Sequence, residues 1–450
     1  MTVEGSLARS VAETRYEDLP EDVIALMKLM TRTIVGTTVA GATAEGCPEA
    51  IDQVRAWGGP EEATLLIYGG KAPAHNAVLA NSVMARALDI CDGMAPGIHI
   101  GSSVVPVALA MAEANGGCSG RDFIAALAAA SELTARISAV ADYDGFDPTG
   151  IGTTFGAAAV AGRIMGLDSE AMHHALALAF NRAAGSFQSN IDGSLAVRYI
   201  QGFVSQNGVA CAQLAQRGIT GPDHYIGGLF GYYHLFCKDK RDDATLCGEW
   251  GKDWHVRQMG FKSAPSCGCT IASTDLILDL AERYDLAPDD VETIDISVGP
   301  PVYNLTGHDF EVGDNPTVNA QFNIQYCVAN ALINRSARLE HFDPDNVKEP
   351  HIMALTKKIR IHCDAQRISD AQMEVRTRKG RLYRAETVGP SGFPPLPLTA
   401  EQHRQRFEDN IGYGGKPLSR VNVDRLVDAV EALETMEDVR TLVPLMISEV

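Results

Sequence analysis

Basic residues are scarce in this chain. Lys and Arg number 38 against 57 Asp and Glu over 450 residues, a formal net charge of −19. Nucleic acid and anionic membrane surfaces repel such a protein, so neither is expected as a partner. The global field does not exclude a small anionic ligand, because a few local cations override it. Long apolar runs are missing too: none without charge reaches the ~18 residues that span a bilayer. The longest candidate, "GIGTTFGAAAVAG", is built of small residues and ends at Arg163. The N-terminal "MTVEGSLARSVAETRYEDLPEDV" has no apolar h-region, so a cytoplasmic protein with ten reduced cysteines is expected.

Several chemical signatures are also absent. There is no Walker-type loop, no H-E-x-x-H and no G-x-S-x-G. The glycines of "GIGTTFG" miss G-x-G-x-x-G by one position and follow no strand signal, so they fit closely packed helices better than a dinucleotide. "FKSAPSCGCT" offers Cys267 and Cys269 in C-x-C spacing, with no second Cys/His pair nearby and no redox C-x-x-C. No metal site is expected.

What is present is 46% apolar and only 21% charged residues, enough to bury a large interior, and a length that suggests more than one domain. Residues 1–260 read as helices. Pro20 opens "PEDVIALMKLMTRTIVG"; Ser119 with Asp122, and Asp168 with Glu170, mark further starts; Gly218 marks a stop. After residue 260 alternation appears in "VETIDISVG" and "KKIRIHCDA", and "AQMEVRTRKGRLYRAETVG" reads as a hairpin turning at Lys379-Gly380. Helical patterns lie between them, "NAQFNIQYCVANALIN" and "TIASTDLILDLAERYD". The Pro-rich "PSGFPPLPLT" reads as a boundary, followed by a capping box at Thr399 and Gln402 and a helical tail. The expected fold is mainly α: a large helical domain from residues 1–260 and 397–450, with a smaller α+β lid over 261–396.

Two loop segments crowd chemically competent groups. "LDICDGMAPGIHIGSS" brings Asp89, Asp92 and His99 together, as a loop site or as a capped helix end. "DYDGFDPTGIGTTFG" places Asp142, Tyr143, Asp144 and Asp147 ahead of a helix, where carboxylates also satisfy orphan amides. In "FKSAPSCGCT", Pro265 can bend the chain so that Lys262 faces a pocket, with Cys267 as a lining residue.

Several segments together resemble the MmgE/PrpD family, which includes 2-methylcitrate dehydratase, cis-aconitate decarboxylase and iminodisuccinate epimerase. They are "LPEDVIALMKLMTRTIVGTTVAG", "GFDPTGIGTTFGAAAVAGRIMGL", "AQLAQRGITGP", "FKSAPSC" and "AQFNIQYCVANAL". The resemblance implies a helical domain built from both chain ends plus an α+β lid, usually as a homodimer. It also implies an interdomain pocket for small carboxylates, worked by proton transfer without metal or organic cofactor. The family's "LDFDDT…HP" falls on "LDICDG…HI", matching Asp89 and His99, with Cys91 and Ile100 as departures. Its pocket lysine matches Lys262 and its tyrosine Tyr326. Two departures are larger: Asp147 stands for the "HPT" histidine, and Val197 and Ile200 stand for the lysine and histidine of "TKPLH", leaving Arg198 there.

Together these changes make the local charge about one to two units more negative, which disfavours a buried trianion. The expected function is a dehydratase-type lyase on a small hydroxy-carboxylate. An epimerase on a small dicarboxylate and a non-catalytic family member are the alternatives. Lys262, His99, Tyr326 and Asp89 are the expected catalytic residues, with Asp147, Arg198, Cys267 and Asp92 around the substrate.

Overall fold

The structure, a computed structural model, describes residues 2–450. Two hydrophobic cores organise it. The larger gathers buried side chains from Leu7 to Phe261 and again from Phe407 to Met446, so both chain ends build one helical body. The smaller runs from Ala272 to Val375. The chain is mainly α.

Local chemistry sets the helix starts. Glu21 and Asp22 occupy the first turn of the Glu21–Gly41 helix, where the amide dipole favours negative charge. Ser119 Oγ accepts from the Asp122 amide at 3.1 Å to open Gly120–Ala139. Asp168 accepts from the Ala171 amide at 2.9 Å to open Ser169–Phe180. Among the described residues one helix, Glu21–Gly41, is long and apolar enough to cross a membrane, yet 67% of that window is packed inside the helical body.

Small residues let these helices approach. A Cβ at Gly150 would lie 1.9 Å from the Ala184 carbonyl oxygen, so only glycine fits where the chain around Asp147 meets residue 184.

The smaller core lies under a four-stranded sheet ordered Ile359–Cys363, Val291–Val298, Ala371–Thr377, Leu382–Thr387. The first pair is parallel and the other two are antiparallel. Ile294, Ile296 and Val298 face inward with the period of two that their alternation predicts.

Two helical expectations break. "NAQFNIQYCVANALIN" forms two helices, Pro316–Gln321 and Ile324–Asn334. Asn323 interrupts them: its Oδ1 accepts from the Tyr326 amide at 3.0 Å and its Nδ2 donates to His308 C=O at 2.7 Å. The C-terminal tail is helical over Arg420–Glu431 and then forms two short 3-10 segments. There Met436 C=O accepts from the Gly120 amide, and the Val439 amide donates to Cys118 C=O, both at 2.9 Å. Backbone groups spent on that docking no longer extend an α-helix.

Where the two bodies meet, three distant segments pair. Asp92–Gly93 runs antiparallel to Gly260–Phe261, and the Phe261 amide donates to Gly392 C=O at 2.8 Å. The Pro-rich stretch expected as a boundary therefore also forms one edge of this junction. Gly392 has φ +88°, and a Cβ there would lie 2.0 Å from Phe261 C=O.

Candidate active site

The junction brings Lys262 to Asp89. The Lys262 amide donates to Cys91 C=O at 3.2 Å, and its Nζ lies 2.5 Å from Asp89 Oδ1. The Ala74–Arg86 helix ends just before this point, and Asp89 adopts a left-handed φ of 52°. Arg86 Nη1 binds the same Asp89 oxygen. All three side chains are at most 5% exposed, so this is a buried two-cation, one-anion group. Burial opposes charge on Arg86, yet Asp89 beside it leaves the guanidinium above its ordinary value. Among the described residues, Asp89 Oδ2 and Arg86 Nε have no hydrogen-bond partner.

His99 stands beside this group. Its Nδ1 lies 2.7 Å from Asp92 C=O, and 3.5 Å from Cys91 Sγ. A carbonyl only accepts, so Nδ1 carries the proton and Nε2 carries the lone pair. Burial, then the positive charges of Arg86 and Lys262, hold the imidazole well below its ordinary 6.5. It is a neutral, half-buried histidine whose Nε2 lone pair stays unprotonated at neutral pH.

Asp92 sets this loop. Its Oδ2 accepts from the Ile100 and Gly101 amides, both at 2.9 Å, at the head of the Gly101–Ala114 helix. It is fully buried, so the residue expected at the substrate acts as a cap that fixes His99. Burial raises its pKa, against the pull of those two amides.

Asp147 reaches the same loop through Thr149. Its Oδ1 accepts from the Thr149 amide at 2.8 Å, and Thr149 Oγ1 accepts from the His99 amide at 3.1 Å. Thr149–Thr153 forms a single π-helical turn, a device common at functional sites. Burial raises the Asp147 pKa. Asp147, Val197 and Ile200 all line one cavity of about 690 Å³. The Ala196–Gln216 helix forms part of its wall, and Gln201 on that helix donates to His99 C=O at 2.9 Å. Val197 packs with Cys267 and Phe322. Neither His99 nor Lys262 is on the lining; Asp147, through Thr149, and Val197, packed against Cys267, link the cavity to the segments that carry them.

Models of the MmgE/PrpD N-terminal domain and the MmgE/PrpD C-terminal domain match residues 5–244 and 264–431. The chain belongs to the MmgE/PrpD family. Similar proteins include a cis-aconitate decarboxylase from Aspergillus terreus, 22% identical over 462 residues, covering 96% of this chain and 93% of that protein. Human cis-aconitate decarboxylase is 23% identical over 464 residues, with 98% and 94% covered. The mouse protein of that name is 24% identical over 397 residues, with 84% and 79% covered.

Other matched positions of this MmgE/PrpD chain lie differently. Cys267 precedes the Gly268–Tyr284 helix, and its amide donates to Gln321 C=O at 2.9 Å. Hydrogen bonding with the Cys269 thiol, and then the Lys262 charge, lowers the Cys267 thiol pKa against its burial. Arg198 points away from the cavity lining. It is buried, with Nη1 donating to Glu45 C=O at 2.5 Å, and burial lowers its pKa. Tyr326 is not brought to Lys262. Its ring packs in the smaller core against Phe310 and Phe342, and its hydroxyl donates to His341 C=O at 2.5 Å.

Sequence reasoning missed three contributors. Arg86 carries a signal, three residues before Asp89 at a helix end. Arg182, among the described residues the sole cation on the cavity lining, carries none. Neither does Arg406, which donates from the Ala400–Tyr413 helix to the Ile90 and Cys91 carbonyls and whose pKa burial lowers to about 10.

Proposed function

We propose that this chain is a lyase that removes water from a small hydroxy-carboxylate, with His99 as the base. One observation carries the reading: a neutral imidazole with its lone pair on Nε2 is fixed beside the buried Arg86–Asp89–Lys262 group. Such a base can take a proton from carbon next to a carboxylate. The charge that then builds on the carboxylate is stabilised by the fixed field of Lys262 and Arg86, two cations sharing one anion. Lys262, at 2.5 Å from Asp89, enters as a cation and not as the base. The bond from the neighbouring carbon to the hydroxyl breaks, a carbon–carbon double bond forms, and the leaving hydroxide takes the proton from the His99 imidazolium to give water. This scheme uses neither metal nor organic cofactor. The family match and the names of the relatives support lyase chemistry.

The test is incubation with a panel of hydroxy mono- and dicarboxylates in D2O, followed by proton NMR. Unsaturated acids are the expected products. Deuterium uptake with stereochemical scrambling and no alkene would instead establish an epimerase. No exchange on any panel member, with Lys262→Ala indistinguishable from the parent, would sink the enzyme reading.

A further inference from the structure

We propose that Asp147, Val197 and Ile200 fit the cavity to a 3-hydroxy monocarboxylate with an alkyl body, Asp147 accepting a hydrogen bond from its hydroxyl. The inference rests on the lyase reading and names its substrate class.

Three features of the cavity lining carry it. The first is charge. Among the described residues Arg182 is the sole cation there, and its Nε and Nη2 already donate to Asn207 Oδ1 at 3.1 and 2.8 Å. One partly committed guanidinium pairs directly with one carboxylate, while Lys262 and Arg86, buried on Asp89 and off the lining, act on it only through their field. A tricarboxylate would enter with charges that find no counterion and face Asp147 as well. The second is the acceptor. Asp147 uses Oδ1 for the Thr149 amide, and a carboxylate offers about four lone-pair sites, so acceptor capacity remains toward the cavity. A hydroxyl supplies the donor that Asp147 lacks. The third is the apolar wall. Ala183, Val197, Ile200, Phe203 and Val204 line the cavity beside the polar groups. A volume of about 690 Å³ leaves room for a hydrocarbon branch against that wall, where each buried CH2 contributes about 0.8 kcal/mol.

The elimination balances on such a molecule. The C2 proton goes to His99 Nε2, the C3–O bond breaks, the C2–C3 double bond forms, and the leaving hydroxide takes that proton back from the His99 imidazolium and departs as water, restoring neutral His99. Asp147, 5% exposed and held above the ordinary carboxyl pKa by burial, faces the group that leaves.

Titration calorimetry with 3-hydroxybutyrate, butyrate and citrate tests this without needing turnover. The parent is expected to bind 3-hydroxybutyrate at least about tenfold more tightly than either of the others. Asp147→Ala should bring the ratio of 3-hydroxybutyrate to butyrate affinity to about one. The double variant Asp147→His/Val197→Lys should gain about tenfold for citrate. Citrate binding the parent as tightly as 3-hydroxybutyrate, no binding of the hydroxy acid, or an Asp147→Ala that keeps the preference would each overturn the proposal. The three-ligand comparison in the parent stands even if a variant fails to fold. Exchange in D2O without this preference would reject the substrate class and leave the lyase; the preference without exchange would do the reverse.

Discussion

At the residue scale, the Arg86–Asp89–Lys262 group makes an unequal prediction about its own members. Lys262→Met leaves Arg86 to neutralise Asp89, whereas Asp89→Asn strands two buried cations with no anion between them. Breaking a buried pair from one side costs about 3–5 kcal/mol, so Asp89→Asn should destabilise by at least that much and by more than Lys262→Met. Urea unfolding of both variants checks the order, and the reverse order would mean the group is not charged as drawn. His99 gives a pH prediction. Its folded pKa lies below the unfolded 6.5, so the unfolded chain binds the extra proton first as pH falls. The stability tied to neutral His99 is present above pH 6.5 and is lost as pH falls from there through the folded value. His99→Gln should flatten that part of the stability–pH curve. His99 and Lys262 were legible as candidate residues at matched positions, but not the order of their roles. The proton on Nδ1 was not, because it depends on a backbone carbonyl that sequence does not aim.

At the element scale, the Thr149–Thr153 π turn holds Asp147 and Thr149 where they meet His99. Gly150→Ala forces a Cβ against the Ala184 carbonyl, 1.9 Å away before relaxation. The expected cost is about 1–3 kcal/mol, with turnover falling further than stability alone explains, read by melting and by NMR assay. A variant with parental turnover would separate the turn from the site. Elements with local signals were readable from sequence: the Ser119 and Asp168 caps, the alternation through Ile294 and Ile296, and the turn at Gly380, whose φ is +78°. Asn323 and the tail after Glu431 were not. At Asn323 the helical pattern loses to the side chain's own bonds to the Tyr326 amide and His308 C=O, and in the tail to backbone hydrogen bonds with residues 118 and 120.

At the scale of the whole molecule, the site exists because Asp92, Phe261 and Gly392, far apart in the chain, pair at the junction of two cores. No local pattern announces such pairing, which is why Arg406, clamping the Ile90 and Cys91 carbonyls from the Ala400–Tyr413 helix, went unseen. The homodimer that the resemblance implies remains a proposal of this scale. Leu229 and Phe230, 80% and 71% exposed, are candidates for cover by a second copy. Light scattering should then give twice 48.2 kDa, falling toward one copy in Leu229→Asp/Phe230→Asp. The central claim, however, is that His99 Nε2 takes a proton from carbon beside a carboxylate. The most direct measurement is the rate of deuterium uptake at that carbon in D2O, across pH, for the parent and for His99→Gln. The account predicts uptake that persists below pH 6.5 in the parent and falls by about 10²–10⁴-fold in the variant. Equal uptake in both proteins would contradict it.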